Sequence, residues 1–359
     1  MILKEVEFNK ECECGTGLRF GECCGKVLIK MAAEAAYREK FPSPPLISTK
    51  FGKYQVRAVW NKIHFRPITE HLHEFMVKVL IRTLGKSWYT VQRKKVPEEQ
   101  HIIMRWIDAR SDFFKQVEPL NLTSKDRIVP PGEVMELIAI ARDVYYLQLV
   151  NKLPKPLRDR LIDYDAFQGA RYEIAVAASL VRAGFEIEWV QNRQSKKHCE
   201  FNAIHKVTKE IIAVETKSRR RPGVYHQEGD LPDLSVIKTD IFSLYNEAML
   251  QNPSDKPFGV FIDINLPSQR DRATIDRDWV KNLLQKIEQE GKSVFRSPPP
   301  AFVVITNSGW FYEGKSPAGR GESLAFVLQD AVHPLKIPLT IEALFEALKL
   351  FSIIPDEDV

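Results

Sequence analysis

The sequence predicts an α/β protein, a mixed sheet flanked by helices, on three observations. From about residue 160 helix-period and strand-period patterns alternate. Short apolar runs recur at 185–190, 211–214, around Val260 and at 301–307. The order helix, three strands, helix, strand suits a mixed sheet covered by helices. Ahead of it lie a mostly helical region and a small cysteine-rich N-terminus, so the chain reads as units 1–28, 29–155, 156–330 and a C-terminal helical extension, 331–359.

Each element has a local reason. Val27 to Phe41, rich in Ala and Lys, reads as a short helix, and the prolines of FPSPPLIS end it. Thr69 is expected to cap a helix ending at Gly85, Pro97 to open another through Trp106, and Pro131-Gly132 to precede a third. His71 and His73, two apart on the first of these, should face apart, and with His64 and His101 they read as core or surface residues. Tyr164 to Arg182 has a strong helical pattern stopped by Gly184. Strands follow at Phe185–Val190, His198–His205 and Glu210–Lys217, the last two joined through Lys206 to Lys209 as a hairpin. A helix over Leu234–Gln251, a strand around Val260, a helix over Trp279–Glu290 and the strand AFVVITN complete the pattern.

The totals exclude several classes. The 359 residues are 44% hydrophobic and 28% charged, which suits a folded globular chain rather than a fibrous or disordered one. No apolar stretch approaches the roughly 18 residues of a membrane span, and MILKEVEFNKECE lacks a secretory signal's pattern, so no membrane is involved and the expected location is cytoplasmic. A net charge of +5 permits nucleic-acid binding without arguing for it. Its distribution says more: KSRRR at 217–221, with Arg219, Arg220 and Arg221, adjoins the candidate catalytic residues, and RQSKK at 193–197 adds further positive charge.

Four of five cysteines, Cys12, Cys14, Cys23 and Cys24, lie in CECGTGLRFGECCG. In a reducing compartment such a cluster reads as a soft-metal site, and four thiolates close the tetrahedron of a structural zinc ion. Redox sensing by the vicinal Cys23 and Cys24 is the rival. The spacing Cys-x-Cys, eight residues, Cys-Cys, with Gly15-Thr16-Gly17 and Phe20 between, resembles the SEC-C motif over about 14 residues. That resemblance implies a zinc-dependent adaptor for recruitment or a protein partner. Leu18, Arg19 and Glu22 depart from that family's lysine-rich centre.

A second constellation is acidic. Glu215 and Lys217 share a face of one predicted strand, and Glu200 lies on the strand joined to it by the hairpin. Two carboxylates meeting there outline a magnesium or manganese site, where a neighbouring ammonium can neutralise developing charge. Glu173, in GARYEIAVAASLVRAG, sits on a helix whose alanines allow close packing on a sheet. The segment 169–217 resembles the PD-(D/E)xK nuclease superfamily, with Glu215-Thr216-Lys217 as ExK, and the resemblance extends over roughly 160–310. It implies a restriction-endonuclease-like fold and phosphodiester hydrolysis, expected in DNA. Glu200 and Glu215 would ligate Mg2+ or Mn2+, Lys217 would be the catalytic cation and Glu173 an accessory acid. Glu200 stands where that superfamily usually has aspartate. This keeps a non-catalytic nucleic-acid- or protein-binding platform as the alternative.

Overall fold

The computed structural model describes residues 9–14, 16–120, 128–190, 198–219, 237–253, 255–267, 272–291, 298–319, 321–351 and 353. Helix α1 (Cys24–Lys40) follows the cysteine turn. An antiparallel meander comes next, β1 (Ser48–Phe51), β2 (Tyr54–Val59) and β3 (Lys62–Pro67), which the sequence patterns did not announce. Helices α2 (Leu72–Leu84), α3 (Lys86–Arg93), α4 (Ile102–Val117), α5 (Gly132–Leu149), α6 (Lys155–Leu161) and α7 (Phe167–Arg182) then lead into the large sheet.

That sheet has six strands in the order β4-β5-β6-β7-β8-β9. Strands β4 (Phe185–Trp189), β5 (Phe201–His205) and β6 (Ile211–Ser218) are antiparallel neighbours. After α8 (Ile237–Met249), β7 (Phe258–Asp263) runs parallel to β6, and after α9 (Asp278–Glu290), β8 (Phe302–Asn307) runs parallel to β7. An antiparallel edge strand, β9 (Glu322–Val327), and α10 (Pro338–Leu350) close the chain. The expected mixed sheet flanked by helices is present. Strands β7 and β8 are buried at every position because helices cover both faces, so they read as unbroken apolar runs.

One apolar cluster joins α2, α5, α7 and α10 to one face of the sheet, and a second joins α8 and α9 to the other. Alanines 170, 177 and 178 of α7 are fully buried, which lets that helix approach the strands. Cys199 lies in the second cluster as a core residue. No helix among the described residues is long and apolar enough to cross a membrane.

Three local expectations require correction. Thr69 does not cap α2; His71 holds the N-cap position, because Glu70 is drawn under the meander by Arg57 and Arg66, at 3.2 and 2.6 Å, and by Lys78. With His71 outside the helix, helical spacing no longer separates it from His73, and the two rings stack at 5.4 Å. Pro97 opens only a 3-10 turn, Pro97–Glu99, while α4 begins at Ile102 behind His101, whose Nδ1 accepts from the Ile103 amide at 3.3 Å.

Candidate functional site

The N-terminal cysteines are gathered by a short backbone reversal. The Cys12 amide donates to the Leu18 carbonyl at 2.8 Å and the Phe20 amide to the Lys10 carbonyl at 2.7 Å, with Gly17 at φ +69° in the turn, a conformation glycine adopts without strain. A 3-10 turn, Phe20–Glu22, then presents Cys23 and Cys24 at the start of α1. One sulfur from each of Cys12, Cys14, Cys23 and Cys24 lies within 4.8 Å of the others. Such a group can hold a metal ion such as zinc, and the all-thiol donor set suits a soft tetrahedral one. The Thr16 hydroxyl, 3.3 Å from Cys14 Sγ, is the main cause that lowers the Cys14 thiol to about 6. Cys24 is pushed up to about 12, chiefly by Cys12. Crowded thiols thus resist common ionisation, and a dication would relieve that repulsion.

The acidic constellation is assembled by the large sheet. The Glu200 amide donates at 3.0 Å to the carbonyl of Val214, the residue already paired with Phe201, so the ladder ends in a bulge that brings Glu200 beside Glu215 without pairing the two. Ile212 and Val214 face the α7 cluster and Ala213 the α8–α9 cluster, so alternation puts Glu215 and Lys217 on the α8 side. Glu215 is 2% exposed. Its Oε1 accepts from Lys217 Nζ at 2.6 Å, whereas its Oε2 accepts no hydrogen bond from any described residue. Burial raises Glu215 to about 7, against the pull of Lys217 and with a further push from Glu200.

Glu173 comes from α7, the helix layer on the other face, and is buried rather than exposed. Arg160 of α6 clamps it at two points, Nη1 to Oε2 at 2.9 Å and Nη2 to Oε1 at 2.7 Å. Burial and then Glu200 nevertheless raise it to about 7, with Arg160 and Lys217 opposing. Glu173, Glu200 and Glu215 therefore feel one another. Among the described residues, however, only the four cysteines form a group of three or more ligands within 4.8 Å. The acidic centre is the buried pair Glu215 and Glu173, each pushed up in part by Glu200. Magnesium commonly binds through one or two carboxylates and water, and the unpartnered Glu215 Oε2 is a donor of that kind.

Two neighbours, Arg160 and Gln168, escape sequence reasoning. Arg160 carries no signal in KPLRDRL; only the packing of α6 on α7 aims it at Glu173. Gln168 of α7 donates to Ser218 Oγ at 3.1 Å and to the Arg219 carbonyl, which ties the helix to the end of β6. Asp263, at the end of β7 and paired in register with Ser218, is buried, accepts from Ser218 Oγ at 3.2 Å, and is raised to about 6 by that burial. Its signal was visible: one acid in an otherwise apolar strand. Of the basic run, Arg219 follows β6 directly, whereas Arg220, Arg221 and 193–197 lie outside the described residues.

No protein-family model matches this chain, and no curated protein or solved structure matches it either.

Proposed function

We propose that this protein is a metal-dependent nuclease with a restriction-endonuclease-like core, hydrolysing phosphodiester bonds in DNA, and that its cysteine module binds zinc and recruits the enzyme or a protein partner. The observation that carries the reading is the buried Glu215, whose Oε2 has no partner among the described residues, with Lys217 on its Oε1 and with Glu200 and Glu173 near enough to push its carboxyl up. The element order α7-β4-β5-β6-α8-β7, with β7 parallel to β6, supports the fold it needs.

A divalent ion held by Glu200 and Glu215 would polarise a phosphodiester and supply a nucleophilic water. Lys217 carries three donors, one spent on Glu215, and its side chain is 23% exposed, so it can also meet a phosphate oxygen. Glu173, raised to about 7, changes protonation near neutral pH and can hold or release a proton there. Arg160 keeps that carboxyl oriented.

A second reading, a binding platform without catalysis, is favoured by the Lys217–Glu215 and Arg160–Glu173 pairs, which give both carboxylates a partner without any ion. Purified full-length chain incubated with duplex DNA, single-stranded DNA and RNA separates the two. Cleavage with magnesium or manganese, abolished by chelator and by Glu215→Gln, is the expected result. Intact substrates in every metal-containing arm would leave only the platform.

A further inference from the structure

Register and alternation turn Phe51, Tyr54 and Phe65 to the outer face of the meander and Arg57, Val59, Lys62 and His64 to the inner one. On that inner side Arg57 and His64 both lie against the Phe75 ring of α2. Where the β2–β3 turn meets the ends of α2 and α5, an open cleft of about 470 Å³ remains. Its size suits a small organic ligand rather than a lone ion. Trp60, Lys62, His64 and Arg82 line it together with the side-chain amides of Asn61, Gln148 and Asn151, and no carboxylate does.

The charge of the cleft selects the sign of a ligand. Arg82 Nη1 donates to His64 Nδ1 at 3.1 Å, which leaves the ring proton on Nε2. Among the described residues neither Lys62 nor Arg82 has a carboxylate partner. Burial first, then Arg82, Arg66 and Lys62, hold the His64 imidazole below its usual value, so the cations crowd around this ring. The last turns of α2 and α5 also line the cleft, and their carbonyl ends offset about half a charge each, which leaves the two full charges of Lys62 and Arg82 in excess. A bound anion would take up that excess.

The backbone marks the same place. Of the four non-glycine residues at positive φ among the described ones, two line this cleft, Trp60 at φ +52° and Asn151 at φ +53°. Trp60 is the first residue of the two-residue turn between β2 and β3, where a positive φ usually calls for glycine, and it is 57% exposed. A bulky ring kept there at a conformational cost is a ready platform for a planar group. We propose that this cleft binds a nucleoside monophosphate, with the base stacked on Trp60 and the phosphate held by Lys62 and Arg82. The three amides offer donors and acceptors to the base edge and the sugar hydroxyls. The inference rests on the cleft alone and holds whether or not the acidic site cuts.

Full-length protein in chelator, so that no metal assists, is titrated by calorimetry with the four ribonucleoside 5′-monophosphates, with their nucleosides and with inorganic phosphate. At least one monophosphate should bind about 10-fold or more tightly than its nucleoside and than phosphate, since it alone engages both ring and cations. It should also shift the ring-proton resonances of His64, identified by their loss in His64→Gln. Trp60→Gly, which suits the positive φ, should melt no lower than the parent and weaken the monophosphate by about 10-fold. Lys62→Gln with Arg82→Gln, both at exposed positions, should erase the preference for monophosphate over nucleoside. The two sets check one another if one is poorly folded. No bound monophosphate, a nucleoside or phosphate bound as tightly as the monophosphate, or an affinity that both sets leave unchanged would overturn the proposal.

Discussion

The cysteine module and the acidic centre both gather four reactive side chains, but by opposite means. The four sulfurs come from residues 12 to 24, brought together by one glycine turn and a few backbone hydrogen bonds, and Cys14 is exposed to solvent. Glu173, Glu200, Glu215 and Lys217 come from a helix and two strands, inside a core that exists without them. A site encoded locally buries too little to hold itself and depends on its ion, whereas one encoded over long range is held by the fold and can keep carboxylates in repulsion until an ion arrives.

Removing the metal from the cysteines should produce the largest effect. Structural zinc contributes about 10–16 kcal/mol to the folding of such small modules. Cys23→Ser with Cys24→Ser should therefore lose the ion and expose residues 9–24 to rapid amide exchange, while the large sheet stays protected. Elemental analysis of the parent should find about one zinc per chain. Metal-free protein with the four thiols paired as disulfides would erase the contrast.

The acidic centre should respond in the opposite sense. Glu215 ordinarily ionises near 4.5 and is raised to about 7 in the fold, chiefly by burial. A raised folded value means that the protonated form is favoured, so its contribution to stability is complete below about pH 4.5 and is lost as pH rises through about 7. In chelator at pH 8, Glu215→Gln should therefore stabilise the protein, by up to about 3 kcal/mol, and near pH 4 it should change little. Magnesium should raise the melting temperature of the parent and not that of the variant. A structural ion pair would give the reverse, a loss of about 3–5 kcal/mol in the variant and no gain from magnesium.

A smaller effect tests how the two regions are joined. Gly184 sits at φ +93°, and a Cβ there would lie 2.6 Å from Pro42 Cδ and 2.9 Å from Pro42 N. Gly184→Ala should cost about 1–3 kcal/mol in a denaturant melt. Tyr37 donates to Glu346 Oε1 at 2.7 Å, so deletion of residues 1–36 should leave the main transition in place, while a deletion reaching Phe41 removes a buried ring and should lower it. The smallest effect concerns the basic run. Alanine at Arg219, Arg220 and Arg221 should flatten the salt dependence of duplex binding by about one unit for each phosphate these arginines neutralise, and an unchanged slope would make them a solvated face.

Much of this was legible from residue order. The cysteine spacing, the alternation of helix and strand after residue 160, the strands around Val260 and Ile305 and the shared face of Glu215 and Lys217 depend on near neighbours and on the 3.6- and 2-residue periods, which the chain displays directly. Only the tertiary structure decided the rest. That Glu200 bulges out of the ladder beside Glu215, that Arg160 grips Glu173, that Glu70 keeps His71 outside its helix and that the meander turns an aromatic face outward all depend on partners distant in sequence. Their pairing follows from how layers pack, and side-chain periodicity within one element carries no record of which other element will lie against it.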